Sequence, residues 1–429
     1  MCSARACVRT APAPAPARTC RRSRTSGTRG SRRCASTCPC HDLRPLDAVH
    51  LRTRKKYMCC QRYRYLGLGP MDSRRTHRVG WLFVGVLQLA SLLLGVAVAD
   101  AAAEPLAVIG YMPEYRHHGT YNYSQAFAAG LTHVIFFSLE VHPTDLTPTA
   151  FDRLPPKPIL EDARTAAHEH GGKLLLCFGG NSRTGGFPKM VLTKESRATF
   201  LVALDVLLKE HGFHGVDYNW EYPQTNEQWV GLVELIRESR AQLLSGTALV
   251  TAAFYPDPRQ YAVIKHFELH KVCDFLLSMT YDQPGRHSTM EFSQKAIDDW
   301  ASHSLPPEKL ALGVPFYGRD TSSGHPQTYA ELLPKLHARY PKARAKRDAA
   351  DEVDGQYFNG RATIKKKVQL AAQHGLGGIM IWELGQDVIP SSHAMSLMSA
   401  IGEAKAALMS GGGHSGTGAG DSGGGEEEL

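Results

Sequence analysis

Beyond residue 100 this chain has almost no cysteine. Cys2, Cys7, Cys20, Cys34, Cys38, Cys40, Cys59 and Cys60 crowd the first 60 positions, and only Cys177 and Cys273 follow. Those two fall near opposite ends of their expected strands. A bridge needs Cα atoms within about 7 Å, so both read as buried free thiols. Zinc-finger spacing is missing as well. Cys38-Pro39-Cys40 and Cys59-Cys60 have the wrong intervals, and no ordered histidine pair accompanies them. His117-His118 and His168/His170 lack metal-like partners and read as surface residues, so no metal site is expected. An excess of basic charge is also absent where it would matter. Of 49 Lys/Arg and 41 Asp/Glu, residues 1–99 hold 19 and 3, leaving 30 against 38 in the rest. The net charge of +8 therefore gives no argument for a nucleic-acid partner. No Gly-x-Gly-x-x-Gly follows the first strand, which argues against a dinucleotide fold.

What is present begins with a targeting signal. Residues 1–70 form an Arg/Cys-rich, low-complexity leader, read as an extension ahead of a start at Met71. Met71-Asp72-Ser73-Arg74-Arg75-Thr76-His77-Arg78 is a basic n-region. Trp81 to Val98 is apolar, and Ala97-Val98-Ala99 gives an A-x-A cleavage pattern. Segment 71–99 thus reads as a cleaved signal peptide, with an uncleaved anchor over 81–98 as the alternative, since that run can just span a bilayer. The expected location is secreted or in the secretory lumen. Asn122-Tyr123-Ser124 is a glycosylation sequon. The catalytic-size domain spans 100–409, and 410–429 is a Gly/Ser/Glu tail expected to be disordered.

Between 104 and 408, short apolar runs alternate with amphipathic ones. Strands are expected at Leu106–Tyr111, Thr132–Leu139, Lys173–Phe178, Gly215–Glu221, Ala248–Phe254, Phe275–Tyr281, Leu310–Phe316 and Gly378–Trp382. Helical periodicity falls between them, as at Glu161–His170, Lys194–Glu210, Glu227–Leu244, Ser293–Ser302 and Thr363–His374. Lys365-Lys366-Lys367 reads as a solvated helix face. Strands with no polar face suit a parallel sheet covered by helices. Eight such units in about 300 residues favour a (β/α)8 barrel.

In that barrel, chemistry belongs at the C-terminal strand ends. Asp217, Asn219 and Glu221 stand at i, i+2 and i+4, so they share one strand face. Strand 3 ends in Cys177-Phe178-Gly179-Gly180, where glycines would let backbone approach a ligand. Strand 6 ends in Met279-Thr280-Tyr281-Asp282, and strand 8 in Trp382. One acid, one Tyr–Asp pair and one broad aromatic floor describe a sugar site.

These residues resemble glycoside hydrolase family 18, the chitinases and chitinase-like proteins, over nearly the whole barrel. The strand-4 signature Asp-x-x-Asp-x-Asp-x-Glu is matched by His214, Asp217, Asn219 and Glu221. Ser-x-Gly-Gly is matched by Cys177–Gly180, and Met-x-Tyr-Asp by Met279–Asp282. Gly313–Arg319 is similar to the strand-7 segment, and Gly377–Trp382 with Asp387 to the strand-8 segment. The resemblance implies retaining, substrate-assisted hydrolysis of β-1,4-linked N-acetylglucosamine polymers, without a cofactor, by a monomer. Glu221 would protonate the leaving oxygen while the substrate's acetamide attacks. The residue at 219 would orient the acetamide, Tyr281 would bond its oxygen, and Asp217 would back position 219. Trp382 would floor the site and Asp282 would meet sugar hydroxyls. Tyr222 would lie at the rim, and Met279, Tyr111, Gly179 and Gly180 would complete the substrate contacts.

Three positions depart from the pattern. His214 replaces a structural Asp, Cys177 replaces a Ser with a weaker donor, and Asn219 replaces an Asp. An amide cannot balance a positive oxazolinium, so a slow enzyme is expected. Removing a like charge beside Glu221 should also lower its pKa and shift the optimum toward acid. Only about 38 residues, Arg319 to Tyr357, separate strands 7 and 8, part of them helical at Tyr329–Arg339. The cleft should be shallow. A chitin-binding lectin and an endo-N-acetylglucosaminidase acting on N-glycans are the competing functions.

Overall fold

Each apolar run pairs on both edges, and neither of its faces meets water. The computed structural model describes residues 106–117 and 121–411. The leader, the signal segment and nearly all of the tail lie outside the described residues. The barrel strands are β1 (Ala107–Pro113), β2 (His133–Val141), β3 (Lys173–Gly179), β4 (Gly215–Asn219), β5 (Leu249–Phe254), β6 (Phe275–Ser278), β7 (Leu310–Pro315) and β8 (Gly378–Trp382). They pair in parallel in chain order, and β8 and β2 both pair with β1, which closes the ring.

A helix follows each strand: α1 (Tyr123–Ala128), α2 (Lys157–His170), α3 (Lys194–His211), α4 (Asn226–Gln242), α5 (Pro258–His266), α6 (Met290–Ser302), α7 (Arg361–Gln373) and α8 (Leu397–Gly411). Among the described residues no helix is long and apolar enough to cross a membrane.

Strand alternation sorts the apolar side chains into two cores. Ile109, Ile135, Leu175, Leu277, Ala311 and Met380 fill the barrel interior. Val108, Val134, Leu174, Val216, Val250 and Ile379 belong to the larger core shared with the helices. Several loops at the C-terminal strand ends finish in a helix cap. Thr225, Asp257 and Thr289 accept the backbone N–H of Gln228, Gln260 and Phe292 and fix the starts of α4, α5 and α6.

Two strands stop earlier than their pattern suggests. β4 ends at Asn219, so Glu221 lies two residues beyond it. β6 ends at Ser278, where the Thr280 and Tyr281 amides turn back to the Ser278 and Met279 carbonyls. The Met279–Asp282 motif therefore rides on a loop.

The insertion between β7 and α7 is short, and it folds. Pro326–Thr328, Tyr317–Asp320, Gln356–Tyr357 and Glu352–Val353 form a four-stranded antiparallel sheet in that order. The helix Tyr329–Arg339 has the bounds expected from sequence.

The lysine run needs a correction. Lys366 is exposed and Lys365 pairs with Glu403 at 2.5 Å, but Lys367 is 0% exposed. It lies on the buried stripe of α7 with Ile364, Val368 and Ala371. That spacing of three and four residues was visible in the sequence and outranks the charge. His168 and His170 are exposed, His117 is partly buried, and His118 lies outside the described residues.

Candidate active site

Asp217 is a fully buried carboxyl inside the barrel. Register places it level with Cys177 on β3 and Thr251 on β5. Its Oδ1 accepts the Thr251 hydroxyl at 2.6 Å, and its Oδ2 accepts the Tyr111 hydroxyl at 2.9 Å. Burial raises its pKa, against the opposing pull of hydrogen bonds from Thr251, Cys177 and Tyr111. The Cys177 thiol thus keeps a donor's role. Both Cys177 and Cys273 are buried free thiols. His214, at the outer end of this strand, accepts the Leu174 N–H through Nδ1 at 3.1 Å. It ties β4 to β3 rather than facing the cavity.

Two residues further up β4, Asn219 is 3% exposed. Its Oδ1 is buried and has no hydrogen-bond partner. Its amide hydrogen-bonds Glu221. Burial raises the Glu221 pKa, the Asn219 contact lowers it, and the charge of Asp282 raises it again. The net direction is upward.

Glu221 and Asn219 open into a cavity of about 270 Å³ at the C-terminal end of the barrel. Tyr111, Met279, Tyr281, Asp282 and Trp382 line it too, so seven of the sequence-nominated residues meet in one place. The Trp382 ring stands 4.9 Å from Phe137 and 5.3 Å from Tyr111 and forms an aromatic wall. Tyr281 is buried, and burial raises its hydroxyl pKa. Asp282 accepts the Arg319 Nε at 2.6 Å and the Tyr317 hydroxyl.

The remaining nominated residues lie elsewhere. Asp217 sits below the cavity floor. Gly179 and Gly180 do not line it. Both have positive φ, and a Cβ on Gly179 would lie 2.3 Å from the Asn219 carbonyl oxygen. A Cβ on Gly180 would strike the Phe137 ring, while its N–H donates to that same Asn219 carbonyl at 2.6 Å. These glycines let β3 close on β4, not on a ligand. Tyr222 lines a neighbouring cavity of about 220 Å³ with Trp229, Tyr255, Asp257 and Arg259.

Sequence reasoning missed Thr251, Phe137, Asn181, Ala253 and Arg183. A signal existed for Thr251, a polar residue on the inward phase of an otherwise apolar strand. None existed for Arg183. It lines the cavity, pairs with Glu114 at 2.6 Å and lies 5.1 Å over the Phe137 ring.

A closed parallel barrel with a carboxyl of raised pKa just past its fourth strand, facing an aromatic-walled cavity, has the build of a barrel glycoside hydrolase. The sequence profile of glycosyl hydrolases family 18 matches residues 107–387, and the chain belongs to that family. It is 28% identical over 257 residues to Chitinase 1 of Aphanocladium album, which covers 49% of this chain and 61% of that protein. It is 33% identical over 178 residues to the oviduct-specific glycoprotein of Bos taurus, covering 35% and 33%. The chain spans about three-fifths of the length of the fungal chitinases it matches. Among solved structures it resembles the GH18 chitinase ChiB of Flavobacterium johnsoniae, with TM-score 0.58, 25% identity and coverage of 71% and 96%. A class V chitinase mutant from Cycas revoluta, in complex with (GlcNAc)3, shares the fold at TM-score 0.57 and 19% identity, covering 70% and 99%.

Proposed function

We propose that this chain hydrolyses β-1,4-linked N-acetylglucosamine chains with retention, using the substrate's own acetamide as nucleophile, and does so slowly. One observation carries the reading. A half-buried acid with a raised pKa, Glu221, stands beside a buried amide oxygen of Asn219 that has no partner. A buried acceptor without a donor is costly. The N–H of an acetamido group supplies that donor. Glu221 then protonates the leaving glycosidic oxygen, and the acetamide oxygen closes on the anomeric carbon to form an oxazolinium. Tyr281 holds the acetamide oxygen and Trp382 floors the sugar. Water, deprotonated by Glu221, reopens the ring with net retention. Asp217 stiffens Asn219 from below, and Asp282 meets hydroxyls beside Arg319. Similarity to proteins named as chitinases supports the substrate class.

Asn219 is neutral, so it gives the oxazolinium no counter-charge. That is the reason for a slow rate. Segment 71–99 would deliver a monomeric 100–409 domain to the secretory pathway.

The test is turnover of a fluorogenic chitotriose by wild type and by Glu221→Gln. Turnover that disappears in the variant supports the glycosidase. Tight binding without turnover in either form sinks it and leaves the lectin.

A further inference from the structure

Among the described residues one lysine is hidden completely. Lys367 projects from α7 into the layer between helices and barrel with 0% exposure. A buried ammonium ordinarily demands a carboxylate. Here the carboxylates that act on it, Asp351 and Glu291, form no ion pair with it. Its Nζ donates instead to the Ser288 carbonyl at 2.7 Å and to the Ser288 hydroxyl at 2.7 Å.

Ser288 closes the loop that joins β6 to α6, and it does so in the left-handed region, with φ +56°. Its hydroxyl donates to the Thr280 carbonyl at 2.7 Å. Its N–H donates to Gln283 Oε1 at 2.7 Å, and Gln283 Nε2 donates to the Tyr281 carbonyl at 2.7 Å. Asn359 Nδ2 adds a second donor to the Ser288 carbonyl at 3.0 Å. The loop is thus folded onto itself and tied at its root to α7. Tyr281 and Asp282 ride on it, beyond the reach of the strand ladder.

We propose that Lys367 is a positioning residue for the reaction, acting through Ser288 to fix the Thr280 carbonyl and hence the places of Tyr281 and Asp282. The proposal rests on the glycosidase reading, which gives those two residues their work. Burial accounts for the choice of lysine. The tie must span from the helix layer to the loop and donate to two oxygens of one residue, which an apolar chain cannot do.

The same burial makes the tie sensitive to pH. It lowers the Lys367 pKa to about 7, and Asp351, beside the insertion sheet, and Glu291 on α6 oppose the fall. From the loop, His287 adds no positive charge at neutral pH, since burial holds its own pKa at about 4. Below pH 7 the amine is charged and its bonds to Ser288 are charge-assisted. Above pH 7 that strength is lost.

The test uses the full chain with Lys367→Met and Ser288→Gly. Glycine accepts the left-handed backbone, removes the hydroxymethyl group and leaves the backbone carbonyl in place. Turnover of fluorogenic chitotriose is measured from about pH 6 to about pH 8, alongside amide hydrogen exchange. At the acid end kcat of Lys367→Met should fall on the order of 100-fold, the scale of a misplaced reacting group, with KM within about threefold. Exchange should quicken over 280–288 and not elsewhere. Ser288→Gly should move both readouts in the same direction, and it carries the test if Lys367→Met does not fold. The ratio of wild-type to variant kcat should shrink as pH rises. Unchanged loop exchange and kcat, or a ratio indifferent to pH, overturns the proposal. If wild type does not turn over chitotriose, the glycosidase reading falls, and the exchange comparison alone decides for or against the clamp.

Discussion

On the β4 side of the cavity, Asp217 and Asn219 belong to the hydrogen-bonded ladder, Asp217 level with Cys177 on β3 and Thr251 on β5, and Asn219 level with Gly179 on β3. On the β6 side, Tyr281 and Asp282 stand past the last paired residue; the insertion sheet bonds Asp282, and Lys367 of α7 bonds Ser288 at the far end of their loop. The first side obtains its geometry from the backbone and bears the cost of a fully buried carboxyl. The second avoids that burial and depends on contacts that cross 35 to 79 residues of sequence. Damage to the strand side should therefore appear mainly as lost stability, and damage to the loop side as lost rate.

Glu221→Gln should have the largest effect, a loss of about 10²–10⁴ in kcat, the usual worth of a general acid. Steady-state turnover checks it, and undiminished activity would remove Glu221 from the mechanism. Next, Asn219→Asp should raise kcat by on the order of 10²–10³ by restoring a counter-charge. Its alkaline limb should also move to higher pH, because a second carboxylate disfavours ionised Glu221 and the amide's bond to it is gone. Matching pH–rate profiles would contradict this.

Thr251→Val strikes the strand side alone. It deletes a bond to the Asp217 carboxylate, worth about 1.5–3 kcal/mol. The Asp217 pKa is already raised by folding, so this group destabilises the fold increasingly as pH climbs from its unfolded value through its folded one. The Tm loss should be greater near pH 7 than near pH 4, and an equal loss at both would mean that Asp217 does not ionise. Arg319→Ala strikes the loop side. Its pair with Asp282 is partly exposed, so roughly a three- to tenfold fall in kcat is expected. Tm should hardly move. A Tm loss larger than that of Thr251→Val would erase the distinction between the two walls.

The sequence exposed the strand side well. All eight barrel strands were legible, because runs such as Leu174–Leu176 and Ile379–Ile381 carry no polar phase, and alternation alone aligned Asp217, Asn219 and Glu221. Strand ends were less visible. The stops at Asn219 and Ser278 depend on where neighbouring strands cease to pair, which no local pattern records. Gly179 and Gly180 were noticed for the right freedom but the wrong neighbour, since their close approach is to Asn219 and Phe137. Arg183 carries no local signal, and Lys367 carries one that its charge conceals. One is placed by Glu114, 69 residues earlier, and the other sits in a lysine run that reads as a solvent-facing surface although its helix phase points inward.

The insertion sheet offers a consequence of its own. Its first strand delivers Tyr317 and Arg319 to Asp282, yet the turn that follows, Thr321–Gly324, runs partly exposed before the chain returns at Pro326. The Gly324 carbonyl also accepts Arg319 Nη1 at 3.2 Å, so the turn itself helps to hold the guanidinium that Asp282 accepts. A change in the length of this exposed turn would therefore be felt at a cavity-lining carboxylate that the turn does not touch.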